Sequence, residues 1–166
     1  LTEDQTRYIY ETNTLFVGAT LWTDFNKDDP LIKIDAVSFM SDYRRIRTAT
    51  HGKLCPNYIL SQHIKHKQYI ITQVQKNKDK NFVVITHHLP SMALCDKTYD
   101  GSFDSLYASS LEDVILDNEN IKYWLSGHTH NPVSLQIGQC QCIVNPVGYA
   151  GYEYTEYDRN KHFILE

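Results

Sequence analysis

No uninterrupted apolar run in this 166-residue chain approaches the ~20 residues that a bilayer crossing needs, which excludes a membrane-spanning helix. Proline and glycine are sparse, five and seven residues, and no stretch concentrates them with serine. No linker or internal repeat is therefore visible, and a single domain is expected. Positive charge is also scarce. Sixteen Lys and Arg lie scattered among twenty Asp and Glu, for a formal net charge of -4, which leaves no footprint for nonspecific nucleic-acid binding. Leu1 is followed by no basic segment and apolar stretch of the secretory type, and only four cysteines occur. A disulfide framework is not expected, and a reducing, cytoplasmic setting is.

What is present points to a globular domain. Hydrophobic residues make up 42% and aromatics 12%, too many for a disordered chain. A chain of this length buries about two-thirds of its unfolded surface. Cys140 and Cys142, two apart in an apolar segment, share a strand face; they read as two small buried thiols, with half of a zinc site as the alternative.

The pattern along the chain is α/β. Thr14 to Leu21 (TLFVGATL) reads as a buried strand and Asp24 to Pro30 as a polar loop. Residues 31–54 are weakly periodic, expected to be irregular with a short helix. Pro56 opens an amphipathic helix to about Lys78, with Ile59, Leu60, Ile64, Ile71 and Val74 at helical spacing. Phe82 to Thr86 (FVVIT) is a central strand and residues 89–103 a loop. Asp104 to Asp117 is a second helix candidate and Ile121 to Leu125 (IKYWL) another strand. Val133 to Ile137 and Cys140 to Val144, around Gly138-Gln139, form a hairpin, and His162 to Leu165 a final strand.

Chemistry collects where two strands end. The first runs into Thr86-His87-His88-Leu89-Pro90, the second into Ser126-Gly127-His128-Thr129-His130-Asn131-Pro132, so four of eight histidines fall at two strand ends. In open α/β sheets the ligand site lies beyond the carboxyl ends of strands. Neutral imidazoles held on a rigid sheet are good ligands for zinc, iron or manganese. Gly127 would let the chain turn there without a Cβ clash. Successive strand residues face opposite ways, so His87 is taken as the ligand and His88 as lining the entrance or packing. His51 is assigned to a polar loop, His63 and His66 to the helix surface, and His162 to the tail strand. Asp24, Arg44 and Arg45 are candidates for substrate contact, with a loop cap and salt bridges as alternatives. Asn145 is a candidate for orienting a metal-bound histidine. The tyrosines 149, 152, 154 and 157 read as packing under a loop.

THHLPS and LSGHTHNP together resemble the last two motifs of the calcineurin-like metallophosphoesterases. FVGATLWTDF, SDYRRI and VNPVGYAGY resemble segments of a bacterial and viral subgroup of that superfamily, in the same order. The resemblance implies a two-sheet β-sandwich flanked by helices and a centre of two divalent ions, manganese, iron or zinc. By the same resemblance His87 and His128 would bind one ion and His130 the other, and a bridging water or hydroxide would attack a phosphate ester. Ions of this kind make water nucleophilic and neutralise phosphoryl charge.

The departures are as informative. Asp-x-His, Gly-Asp-x-x-Asp and Gly-Asn-His-Asp/Glu, the family's earlier motifs, do not occur. Where the subgroup often reads Asn-Pro-Arg-Gly-Tyr, this chain has Asn145-Pro146-Val147-Gly148-Tyr149, without the cation. Residues 1–166 are thus expected to be the C-terminal portion of one such domain, its N-terminal half lying in the same or a partner chain. The competing expectation is a phosphoesterase-fold scaffold or binding module without catalysis.

Overall fold

The computed structural model describes residues 5–49, 52–96 and 101–165. A mixed six-stranded sheet flanked by helices forms its frame. The strands are β1 (Gln5–Ile9), β2 (Thr14–Ala19), β3 (Asn81–Thr86), β4 (Ile121–Ser126), β5 (Val133–Ile137) and β6 (Cys140–Val144), in spatial order β1-β2-β3-β4-β6-β5. The four inner strands β2, β3, β4 and β6 run parallel, and β1 and β5 close the edges antiparallel. Ala19, Thr86, Ser126 and Val144 therefore end on one rim, and every loop that follows them starts there.

One face of the sheet carries the core. Leu15, Phe82 and Ile121 lie in one row; Val17, Val84, Trp124 and Cys142 lie in another. These are at most 7% exposed and pack with Ile70 and Val74 of α3 (Pro56–Lys76) and with Val114 and Ile115 of α4 (Glu112–Leu116). Each such side chain contributes about 1.5–3 kcal/mol by leaving water. A register shift between Phe82 and Val83 against β4 accommodates the alternation. The opposite face is less evenly covered: Val83 and Ile143 are buried there, while Phe16, Ile85, Tyr123 and Leu125 are half-buried.

Strands and hairpin fall where periodicity places them, the hairpin turning at Gly138 with φ +56°. Several expectations require correction. Residues 31–54 are more helical than expected. α1 (Pro30–Phe39) starts cleanly because Asp29 Oδ1 accepts the Leu31 N–H at 2.8 Å and Pro30 sits in the first turn; the short α2 (Asp42–Arg45) follows. Leu21 does not extend β2; it and Trp22 adopt positive φ, and Phe25–Asp28 form a left-handed turn. The helix expected over Asp104 to Asp117 is largely replaced by a 3-10 turn at Asp104–Leu106 and the short α4. Leu89 captures the intervening backbone, donating to Tyr107 O and accepting from Ser109 N. The tail forms no strand; Phe163 packs its ring on Tyr123, whose hydroxyl donates to Ile164 O. β1 went unread in the sequence.

The buried stripe of α3 is Ile59, His63, His66, Ile70 and Val74, so His63 and His66 are core residues and not surface ones, while Ile64 is exposed. His51 lies outside the described residues. Cys140 and Cys142 are buried side by side with Sγ atoms 3.9 Å apart, as two reduced thiols. The neighbouring Cys142 thiol, then burial, push the Cys140 pKa up. No helix among the described residues is long and apolar enough to cross a membrane.

Candidate functional site

The rim of the sheet builds the site from main chain upward. Thr20 O, just past β2, accepts from both His87 N (3.2 Å) and His88 N (3.1 Å), and His87 O accepts from Gly127 N (3.1 Å). Thr86 fixes the same corner: its hydroxyl donates to His88 O and accepts the Trp124 indole N–H at 2.9 Å. The exits from β2, β3 and β4 are thus laced together before any side chain projects. Gly127 does not make the turn. A Cβ there would meet only ordinary contact with His87 Nδ1, at 3.7 Å, whereas His128 takes the left-handed conformation at φ +65°.

That conformation turns the His128 ring onto His87. His87 Nε2 and His128 Nδ1 stand 3.0 Å apart, across 41 residues of sequence. His88 lies beneath, 1% exposed, its ring 4.1 Å from His128 and 5.0 Å from Trp22. Neither ring nitrogen of His88, nor His128 Nε2, has a hydrogen-bond partner. Tyr107 closes the outer side, 5.3 Å from His128. Burial pushes the His128 pKa down to about 3, helped by His87 and His130. Burial lowers His87, with Asp42 opposing, and holds His88 well below the usual imidazole range. All three rings are neutral near pH 7, the form that offers a lone pair to a cation.

His130 reaches the same cleft from the other side of the turn. Its Nδ1 is 2.6 Å from Glu153 Oε1 and its ring is edge-on to Tyr149 at 4.7 Å. The cleft holds about 1420 Å³ and is lined by His87, His128 and His130, by Asp42, Asp104 and Glu153, and by Phe39 and Phe103 among others.

The structure brings His87, His128 and His130 into one cleft and places His88 under them. It does not bring the other candidates there. Arg45 is exposed at the end of α2 and does not line the cleft, while Asp42 of the same helix does. Arg44 donates to Ser38 O, and Asp24, whose main-chain N–H donates to Ser109 Oγ, does not line the cleft. Asn145 spends both ends of its amide on the Asp158 main chain, at 2.9 and 3.0 Å, so it orients the tail loop and not a histidine. Tyr152 and Tyr154 are exposed, contrary to the packing expected of them; Tyr149 alone of the four reaches the cleft. Glu153 and Asp42 went unmarked in the sequence. Glu153 has no spacing signal toward His130, and only the fold of the loop joins them.

Two nitrogens bound side by side to one ion at about 2.0–2.1 Å lie about 3.0–3.4 Å apart, and the His87–His128 pair has that spacing. With the partnerless His128 Nε2 and the neutral rings, the donors fit part of a metal seat. Among the described residues, however, no group of three or more His, Cys, Asp or Glu side chains is arranged to hold an ion. The lining carboxylates stand apart from the histidine pair.

No family model and no curated protein sequence matches the chain. Among solved structures, the crystal structure of phosphopantetheinyl hydrolase (PptH) from Mycobacterium tuberculosis superposes with a TM-score of 0.59 at 15% identity. The match covers 82% of this chain and 50% of that one, so the chain spans about half the length of this neighbour. The likeness is one of fold.

Proposed function

We propose that this chain is the later part of a metal-dependent phosphoesterase, with His87 and His128 holding one divalent ion and His130 helping to hold a second. The observation that carries this is the 3.0 Å approach of His87 Nε2 to His128 Nδ1 at the ends of adjacent parallel strands. In the metal-free form two neutral rings at that distance share an N–H···N hydrogen bond, and a bound ion would take up the same two nitrogens. The ordered likeness of THHLPS and LSGHTHNP to phosphoesterase motifs supports the same reading, as does a structural neighbour named a phosphopantetheinyl hydrolase. When bound, manganese, iron or zinc ions supply Lewis acidity toward phosphoryl oxygens and a nucleophilic water. The chain's own residues hold lone pairs at fixed positions, exclude water beneath His128 with His88 and Trp22, and orient His130 through Glu153.

Three histidines do not complete a two-ion centre, since carboxylates must offset the charge. The missing ligands belong to an N-terminal half, in the same or a partner chain, that would also supply the second sheet of a sandwich. The half-buried apolar residues Phe16, Ile85, Tyr123 and Leu125, on the sheet face opposite the core, are of the kind a second sheet covers. The test is metal content and phosphodiesterase activity of the full-length protein, with zinc or manganese and a chromogenic diester. Bound metal and turnover that both disappear in His128→Ala are expected; stoichiometric metal retained by that variant would sink the proposal.

One observation favours a scaffold instead: the described residues gather no complete ligand group. A full-length protein that melts cooperatively, binds no zinc or manganese at millimolar concentration and lacks turnover would establish that alternative.

A further inference from the structure

His130 differs from the other histidines of the rim in having a carboxylate on its ring. Imidazole has two nitrogens and, when neutral, one proton; which nitrogen keeps the lone pair is set by what the other one meets. Glu153 Oε1 lies 2.6 Å from Nδ1, and an ionised carboxylate only accepts. Nδ1 must then carry a proton, and in the neutral ring that leaves Nε2 bare.

The loop is built to hold Glu153 in that place. The carboxylate also accepts the Tyr149 N–H, and this hydrogen bond, followed by that from His130, holds the Glu153 carboxyl below its usual range. Tyr149 presses its ring edge onto His130 from the same segment. Gly148 makes the turn at φ +73°, and a Cβ there would come within 2.6 Å of Glu153 Oε1 and 2.7 Å of Thr155 Cγ2. Thr155 ties the far end of the loop back by donating to Pro146 O at 2.9 Å. Backbone, glycine and ring all converge on one carboxylate oxygen, so the contact is a consequence of the loop's construction.

We infer that Glu153 is the positioning residue of His130, taking the Nδ1 proton so that Nε2 presents its lone pair to a divalent cation in the cleft. The use of that lone pair rests on the metal-dependent reading above; the tautomer does not. A carboxylate behind a ligating histidine raises its basicity and fixes its ring, and loss of such a partner weakens metal binding by roughly 10- to 100-fold.

The experiment is a two-bond proton–nitrogen correlation spectrum of the full-length protein, metal-free and near neutral pH, with 15N-labelled imidazoles. His130 is identified by its disappearance in His130→Ala. The wild type should show a protonated Nδ1 and an unprotonated Nε2. Glu153→Ala should move His130 toward the Nε2–H tautomer and weaken zinc binding roughly 10- to 100-fold. Glu153→Gln, whose amide oxygen still accepts, should restore the tautomer and recover most of the affinity. A wild-type His130 with its proton on Nε2, or with protons on both nitrogens, overturns the inference, as does a tautomer unchanged in Glu153→Ala. If the tautomers behave as stated but His130→Ala binds zinc like the wild type, the metal reading fails and the cation role of Nε2 with it, while the Glu153–His130 link stands.

Discussion

Two groups of histidines stand out in this protein, one inside α3 and one at the sheet rim, and they differ in what their nitrogens meet. In α3, His63 lies between Ile59 and Ile70 on the inner stripe, and its Nδ1 lies 3.1 Å from Leu21 O. At the rim, His87 and His128 point nitrogens at each other, and His128 Nε2 is buried without a partner. Both groups have pKa values lowered mainly by burial. Burial and a depressed pKa therefore do not mark a functional histidine. A lone pair aimed at a shared space does.

The comparison breaks most easily at His128. His128→Ala should weaken zinc binding by at least about 100-fold, measured by competition with a chromophoric chelator, because it removes a direct donor. His63→Ala should do the reverse: unchanged zinc affinity, but unfolding free energy lower by about 2–4 kcal/mol in a denaturant titration, from a cavity and an unpaired Leu21 carbonyl. If His63→Ala cost metal binding and His128→Ala cost stability, the assignment of roles would be inverted.

Acidification sharpens the same contrast. The folded-state pKa of His63 lies below its ordinary value, so in the window just below about pH 6.5 the unfolded chain binds a proton there that the folded chain does not. Stability contributed by the neutral ring is thus present above that window and falls with pH inside it, by up to about 1.4 kcal/mol per pH unit. Urea midpoints of the metal-free protein between pH 7 and 5 should fall less steeply in His63→Gln than in the wild type. Next in size, Gly148→Ala should cost about 1–2 kcal/mol, since it puts a Cβ into a positive-φ position already filled by Glu153 and Thr155. The smallest effect belongs to Arg45→Ala, within about 0.5 kcal/mol in stability and without change in diester turnover, because Arg45 is exposed away from the cleft.

Legibility followed the range of the interaction. β3, β4 and the β5–β6 hairpin were readable because alternating or continuous apolar runs and Gly138-Gln139 are local signals. The start of α1 was equally local, in Asp29-Pro30, yet it was obscured by weak periodicity: Leu31, Ile34, Val37 and Phe39 are exposed, so no clean apolar stripe exists. The helix over Asp104 to Asp117 failed for the opposite reason. Its propensity was real, but Leu89 took the backbone of Tyr107 and Ser109 into a bridge that no local pattern announces. The polarity of His63 and His66 suggests a helix surface, whereas the stripe defined by Ile59, Ile70 and Val74 places both inside.

From the chain of letters alone came the α/β alternation, the two strand ends that carry histidine, and the choice of His87, His128 and His130 as the residues to watch. Those follow from periodicity and from where apolar runs stop, which neighbouring residues decide among themselves. Tertiary structure alone decided that His87 Nε2 faces His128 Nδ1, that His88 lies beneath, that Asp42 and not Arg45 lines the cleft, and that Glu153 sits on His130. Each of those depends on the parallel register of strands far apart in sequence and on the path of the loops leaving them, and a side chain's partner across such distances is fixed only when the sheet has assembled.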